Sequence, residues 1–342
     1  MTLKADIRAE AERLRAGFEA RGATLFEADI LQPAGALLEL YGEDIRARAF
    51  VTQDPLRGEM MLRPDFTVPL VQHHLEAGDA ERYTYMGQVF RQQDDDDTRP
   101  REYMQVGYEL FAGGIEADAE VFAAVADMLR DLPFTATIGD FGVLTSAINA
   151  LGTPERRKRA LLRHIWRPVR FNALLDRFSR PAPPPPLLPA DDVPHVGLRS
   201  REDIAARIAL LEEETKTPPI SAAELQRLRQ LERIAEMAPK AVEVLAGLGE
   251  TTSAERLSAT LDALADRGVD PAVLRFQASF GLTSLEYYSG FVFGFTAQGY
   301  PPLATGGRYD LLTSALNGGV SRPAVGGVIR PEAVLAAKEA MQ

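Results

Sequence analysis

Residues 83–114 read YTYMGQVFRQQDDDDTRPREYMQVGYELFAGG, two aromatic, apolar runs around a polar and acidic centre. Residues 83–90 and 103–111 are rich in Tyr, Phe and Val, side chains that suit a pleated surface. Between them, 92–100 carries four consecutive aspartates (Asp94 to Asp97) and a proline, which neither a helix nor a central strand accommodates. The stretch predicts a long antiparallel hairpin with Arg91 at the end of its first strand. Alternation along the second strand puts Gln105, Gly107 and Glu109 on one face and Met104, Val106 and Tyr108 on the other. A face carrying Gln and Glu between aromatic runs predicts a polar pocket rather than a core.

Upstream, Ile7, Leu14 and Phe18 recur among charges and predict an amphipathic helix over 2–22. Residues 23–31 read as a strand, 34–48 as a helix, and 50–62 as two short strands about the turn Asp54-Pro55-Leu56-Arg57-Gly58. The segment Met61-Leu62-Arg63-Pro64-Asp65-Phe66-Thr67 leads into an apolar helix. Asp65 can cap that helix at Thr67 or Val68, or face a ligand. Downstream, the pattern predicts a helix over 116–132, a strand over 134–139 and a helix over 141–150.

Residues 152–268 differ in texture. They hold a basic run (Arg156, Arg157, Lys158, Arg159, Arg163), a proline-rich linker over 181–189, and helices rich in Glu, Arg, Ala and Leu. The expected role of the basic run is a solvated helix face. Strands return at 274–280 and 291–296, and 325–330 is expected to open a terminal helix. The fold class expected is therefore α+β: an antiparallel sheet flanked by helices, built from 1–151 and 269–342, with 152–268 as a mainly helical insertion.

The 342 residues are 46% hydrophobic and 25% charged, ordinary values for a globular chain with a sizeable core. No run of about 18 uncharged apolar residues occurs, so no membrane span is expected. The charged N-terminal segment does not read as a signal peptide. Cysteine is absent, which excludes disulfides and thiolate metal sites and fits a cytoplasmic location. Neither a metal nor a cofactor is expected. The net charge of −11, with four aspartates at the hairpin tip, opposes a phosphate backbone, so no nucleic-acid partner is expected.

Gly87-x-x-Phe90-Arg91, followed by Arg99-x-Arg101-Glu102-x-x-Gln105-x-Gly107-x-Glu109, resembles motif 2 of class II aminoacyl-tRNA synthetases, in the form found in histidyl-tRNA synthetases. Four further segments carry the same resemblance. Arg63-Pro64-Asp65-Phe66-Thr67 is similar to that family's Arg-Pro-Glu-Gly-Thr, and Leu285-Glu286-Tyr287-Tyr288 to its Leu-Asp-Tyr-Tyr. Gly306-Gly307-Arg308-Tyr309-Asp310 is similar to its Gly-Gly-Arg-Tyr-Asp, and Gly327-x-x-Arg330 to class II motif 3. The resemblance implies a class II synthetase-like core with a histidine pocket. Asp65, Thr67 and Gln105 would meet the α-ammonium group, and Glu109, Tyr287 and Tyr288 would line the imidazole side. Arg91 and Arg330 would bind an anion.

Two departures redirect the functional expectation. Histidyl-tRNA synthetases carry an Arg two residues before the Leu of the Tyr-Tyr segment, where this chain has Thr283, and losing a preorganised donor costs about 10²–10³ in rate. Arg330 is followed by only twelve residues, with no room for an anticodon-binding domain. The combination resembles the ATP phosphoribosyltransferase regulatory subunits. That family implies a non-catalytic partner of a short-form ATP phosphoribosyltransferase catalytic subunit, required for the first step of histidine biosynthesis and its feedback regulation. It further implies histidine as effector and a homodimer within a hetero-oligomer. Two rival readings are an amino-acid-activating ligase acting on a non-tRNA substrate, and a binding module that has lost histidine.

Overall fold

The computed structural model describes residues 3–35, 49–92, 100–186, 200–282 and 288–341. They form two compact units, 1–142 with 234–342, and 143–233. In the first unit α1 (Lys4–Glu19) is followed by short strands β1 (Thr24–Leu25) and β2 (Leu31–Pro33), where a single strand over 23–31 was expected. Strands β3 (Val51–Asp54) and β4 (Gly58–Leu62) flank the anticipated turn, with Asp54 Oδ1 accepting from the amides of Leu56 and Arg57 at 2.7 and 3.0 Å. Helix α2 (Thr67–Ala77) ends on Gly78, whose φ of +58° is the left-handed stop that glycine takes most readily. The helix expected over 34–48 falls largely outside the described residues.

Strands β5 (Arg82–Phe90) and β6 (Glu102–Leu110) are the predicted hairpin, paired without a break from Arg82 opposite Leu110 to Phe90 opposite Glu102. Helix α3 (Gly114–Met128) and strand β7 (Thr135–Asp140) follow, then α4 (Phe141–Asn149). The 143–233 unit adds α5 (Glu155–Arg163), α6 (Pro168–Phe178), α7 (Arg201–Lys216) and α8 (Ala222–Glu232). Helices α7 and α8 both start on a capping box, Ser200 with Asp203 and Ser221 with Glu224. The basic run is not simply a solvated face. Arg157 is buried, donates to Glu214 at 2.6 Å and to the Pro218 carbonyl at 2.8 Å, and lies 5.1 Å over the Phe178 ring. Arg156 meets the same carboxylate.

Strand β8 (Ala235–Met237) and helices α9 (Ala238–Gly247) and α10 (Thr251–Ala265) belong to the first unit. The block expected as an insertion over 152–268 is thus shared between the two units, because β8 pairs with β9 (Arg275–Gln277) in the main sheet. Strands β10 (Phe291–Thr296), β11 (Ala304–Arg308) and β12 (Val325–Ile329) complete that sheet, with α11 (Asp310–Leu316) between the last two and α12 (Pro331–Glu339) after them. Residues 325–330 were expected to open a helix. They form a central strand instead, because a Gly-Gly pair weakens a helix yet permits the close strand and side-chain contacts found here.

The nine strands run in the order β1-β5-β6-β12-β11-β10-β7-β9-β8. The pairings β1 with β5 and β7 with β9 are parallel and the rest antiparallel, so the sheet is mixed rather than purely antiparallel. Register gives its two faces opposite characters. Val106, Tyr108, Leu110, Phe291, Phe293 and Phe295 point to one side, where α1, α3 and α12 pack. There Phe18 stacks on Tyr108 at 5.1 Å, and Phe122 meets Phe293 at 5.3 Å. Each fully buried side chain of this kind contributes about 1.5–3 kcal/mol. The opposite side carries Gly87, Gly107, Gly139, Gly294, Gly307 and Gly326, of which Gly307 and Gly326 are direct cross-strand partners. A sheet face floored with glycine leaves space for large side chains or a ligand to lie directly on the backbone.

Candidate functional site

The site is built on that glycine floor, with Glu109 of β6 at its centre. Glu109 is 3% exposed, and its Oε1 accepts from the Tyr85 hydroxyl at 3.1 Å while Oε2 accepts from the Tyr309 hydroxyl at 2.8 Å. Burial pushes the carboxyl up to about 8; the Tyr309 and Tyr85 hydroxyls oppose that rise, and the nearby negative charge of Asp65 adds to it. The carboxylate lies across β12 at Gly326, where a Cβ would overlap its oxygens. Gly326→Ala should therefore lower the unfolding free energy by about 1–3 kcal/mol through overpacking. A urea melt checks this, and an unshifted midpoint would mean that the carboxylate can turn aside.

One wall comes from the segment before α2. The buried Arg63 donates to the Gln88 carbonyl at 2.9 Å and to that of Ala28, and its guanidinium stands 4.1 Å over the Phe66 ring. Phe66 stacks on Tyr85 at 4.4 Å, and the Tyr85 ring lies against Gly107, where a Cβ would overlap it. Arg63 therefore fixes where Asp65 and Thr67 enter the site, both of them buried. Asp65 Oδ1 lies 3.4 Å from the Val68 amide, a long capping contact, and its charge reaches Tyr85, Glu109 and Tyr288.

The opposite wall is Tyr288, which rests against Gly307 so closely that a Cβ there would stand 2.9 Å from Cε1. Burial raises its hydroxyl above the ordinary range, as do the charges of Glu109 and Asp65, while Arg330 and Arg91 lower it. All four charges are thus felt at the Tyr288 hydroxyl. Arg91 donates to the Pro64 carbonyl at 2.8 Å, and Arg330 to the Pro302 carbonyl at 3.0 Å. Gln105 lies four residues before Glu109 on the same strand face, 3% exposed and with no hydrogen-bond partner for its amide among the described residues. A buried amide in that state favours any ligand able to pair with it. Tyr287 and Thr283 lie outside the described residues.

Behind the site Arg308 is buried and bonds Asp118 at 2.7 Å, Asp310 at 3.2 Å and the carbonyls of Ala112 and Gly114. Even with that partner, burial pushes the Asp118 carboxyl up to about 6. The backbone around Tyr288 is tied to the same residue, the Ser289 amide donating to the Arg308 carbonyl at 2.8 Å. Sequence reasoning missed Tyr85 and Tyr309 as partners of Glu109. A signal existed for each: Tyr309 sits in the Gly-Gly-Arg-Tyr-Asp turn, and hairpin register puts Tyr85 opposite Gly107. Among the described residues no cluster of acidic or histidine side chains could hold a metal ion. Nor is any helix among them long and apolar enough to cross a membrane.

The histidyl-tRNA synthetase family model matches residues 4–170 and 196–334. ATP phosphoribosyltransferase regulatory subunits of Allorhizobium ampelinum and Rhizobium rhizogenes are each 31% identical to the chain. The first match covers 90% of this chain and 92% of the relative, the second 92% and 93%. A third, from Rhizobium etli, is 32% identical over 90% of this chain and 92% of its own. Among solved structures, an ATP phosphoribosyltransferase regulatory subunit/histidyl-tRNA synthetase from Bacillus halodurans superposes with a TM-score of 0.70 at 21% identity, covering 97% of this chain and 79% of that one. A histidyl-tRNA synthetase from a Nostoc species gives 0.66 at 18%, covering 98% and 72%. These likenesses establish a class II synthetase-like fold. With sequence identity sustained over nearly the whole chain, the protein belongs to the ATP phosphoribosyltransferase regulatory subunit family, within the histidyl-tRNA synthetase group.

Proposed function

We propose that this chain is the non-catalytic regulatory subunit of an ATP phosphoribosyltransferase and that free histidine is the ligand of the Glu109 site. The observation that carries the ligand is Glu109 itself, a buried carboxyl bonded on both oxygens, with Asp65 nearby and, among the described residues, no cation against it. A bound imidazolium would favour the ionised form of Glu109, and the carboxylate the charged form of the imidazole, so that the two together form a charge-assisted pair. Asp65, Thr67 and Gln105 supply acceptors for an α-ammonium group on the same floor. Arg91 and Arg330, whose charges both reach Tyr288, offer charge to a carboxylate. A site whose polar groups are paired only by an amine, an imidazole and a carboxylate together rejects analogues lacking any of them.

Histidine is then an effector rather than a substrate, with the complex with a short catalytic subunit as the working unit. Isothermal calorimetry on the purified chain should show histidine binding, whereas histidine-dependent pyrophosphate exchange should stay at the no-enzyme level. Co-purification with the catalytic subunit from the same organism should yield a complex whose activity histidine lowers. Exchange clearly above background would favour the amino-acid-activating ligase instead, and absent histidine binding would leave the site a relic.

A further inference from the structure

We propose that Arg256 is a positioning residue, which reaches from α10 to the end of β7 and sets the place of Tyr288 at the ring side of the pocket. The proposal rests on the histidine reading above for its ligand, and on contacts of the structure for the positioning. Arg256 Nε lies 3.1 Å from Asp140 Oδ2. The other Asp140 oxygen accepts from the Gly142 amide at 2.7 Å, so this carboxylate holds the turn from β7 into α4. Between those two residues stands Phe141. Its amide donates to the Gly290 carbonyl at 3.1 Å, and its ring faces that of Tyr288 at 6.4 Å with planes 21° apart.

Gly290 gives Arg256 a second hold. A Cβ there would stand 3.2 Å from Arg256 Nη2 and 3.4 Å from Arg308 Cδ, so the backbone two residues after Tyr288 lies against two arginine side chains. The residue between them is tied as well, Ser289 Oγ accepting from the Asp310 amide at 3.0 Å. Tyr288 is thus placed through its ring by Phe141 and Gly307, and through its backbone by Ser289 and Gly290. The Arg256 side chain is 41% exposed, and an ion pair so open to water adds little to stability. Its forked head suits a positioning task, because Nε meets Asp140 while Nη2 lies against Gly290. A point charge on a flexible stem does not reproduce that pair of contacts.

The test uses the ligand-free full chain first. Carbon-13 labelling of tyrosine gives the Tyr288 ring signals by NMR, assigned with Tyr288→Phe. Arg256→Ala should shift them while the urea midpoint stays near that of the wild type. Arg21→Ala removes a comparably exposed ion pair, to Asp127, and should leave them in place. In the second arm, Arg256→Ala should weaken histidine binding about 3- to 10-fold. Arg256→Lys should recover little of that loss, since the charge returns without the fork. With the ring removed in Tyr288→Ala, adding Arg256→Ala should cost little more. Unmoved Tyr288 signals, full rescue by Arg256→Lys, or additive losses in the double variant would overturn the proposal. A large fall in the urea midpoint would do so too, by making the pair a brace of the whole fold. Failure of the wild type to bind histidine would sink the ligand assignment and leave the NMR result to decide the positioning.

Discussion

Glu109→Gln is expected to weaken histidine binding by about 1.5–3 kcal/mol, roughly 10- to 150-fold. The amide keeps the size of the carboxyl group but cannot accept the imidazole proton, so the charge-assisted pair is lost. One of its termini is also a donor facing a tyrosine hydroxyl that now donates, at Tyr85 or at Tyr309. Feedback inhibition of the assembled complex should weaken in parallel while activity without histidine stays near normal, because effector affinity and coupling pass through the same site. Calorimetry and inhibition curves on both proteins decide this. Undiminished inhibition in the variant complex would move the sensor to another surface.

The same substitution has a readout without ligand. The folded carboxyl titrates near 8, well above its ordinary 4.5, so between those values the folded chain holds a proton that the unfolded chain has released. The contribution of Glu109 to stability is therefore intact below about pH 4.5 and is lost progressively as pH rises through about 8. Unfolding free energy measured across that window should fall less steeply in Glu109→Gln than in the wild type. Identical slopes would mean that the carboxyl ionises normally in the fold.

The second large effect is structural. Arg308→Ala should cost about 3–5 kcal/mol, because it leaves the Asp118 carboxylate buried beside Asp140 without its principal counter-charge. Denaturant unfolding of Arg308→Ala, Asp118→Asn and the double variant measures the term. The double variant should recover part of the loss, since a neutral amide no longer demands a cation. A loss under about 1 kcal/mol in Arg308→Ala would show that water or another side chain replaces the guanidinium.

The hairpin over 82–110 was legible because two aromatic, apolar runs flank a stretch that no strand accommodates, and alternation along the second puts Tyr108 and Glu109 on opposite faces. The closeness of Asp65, Glu109 and Tyr288 could be reached only through likeness to other chains, since no periodicity links positions so far apart. Tyr309 eluded both routes as a partner of Glu109, as its hydroxyl meets that carboxylate across 200 residues of sequence. The strand Val325–Ile329 was misread because local propensity penalises two glycines, whereas the tertiary structure needs them under Glu109 and Phe293. The extent of the helical block was obscured likewise. Helices α9 and α10 look like their neighbours in composition, and only the pairing of β8 with β9 draws them to the sheet.

The order of strands across the main sheet also sets a timetable for synthesis. Strand β6 has β12 as its second neighbour, and about 215 residues separate Leu110 from Val325. At ~5–20 residues per second on the ribosome, one edge of the finished hairpin stays open for roughly 10–40 s before its partner emerges. An open strand edge invites pairing with other nascent chains, and clustered like charges discourage it. The four aspartates between β5 and β6 lie on the very hairpin that must wait, so they suit a chain guarding its unfinished sheet during translation.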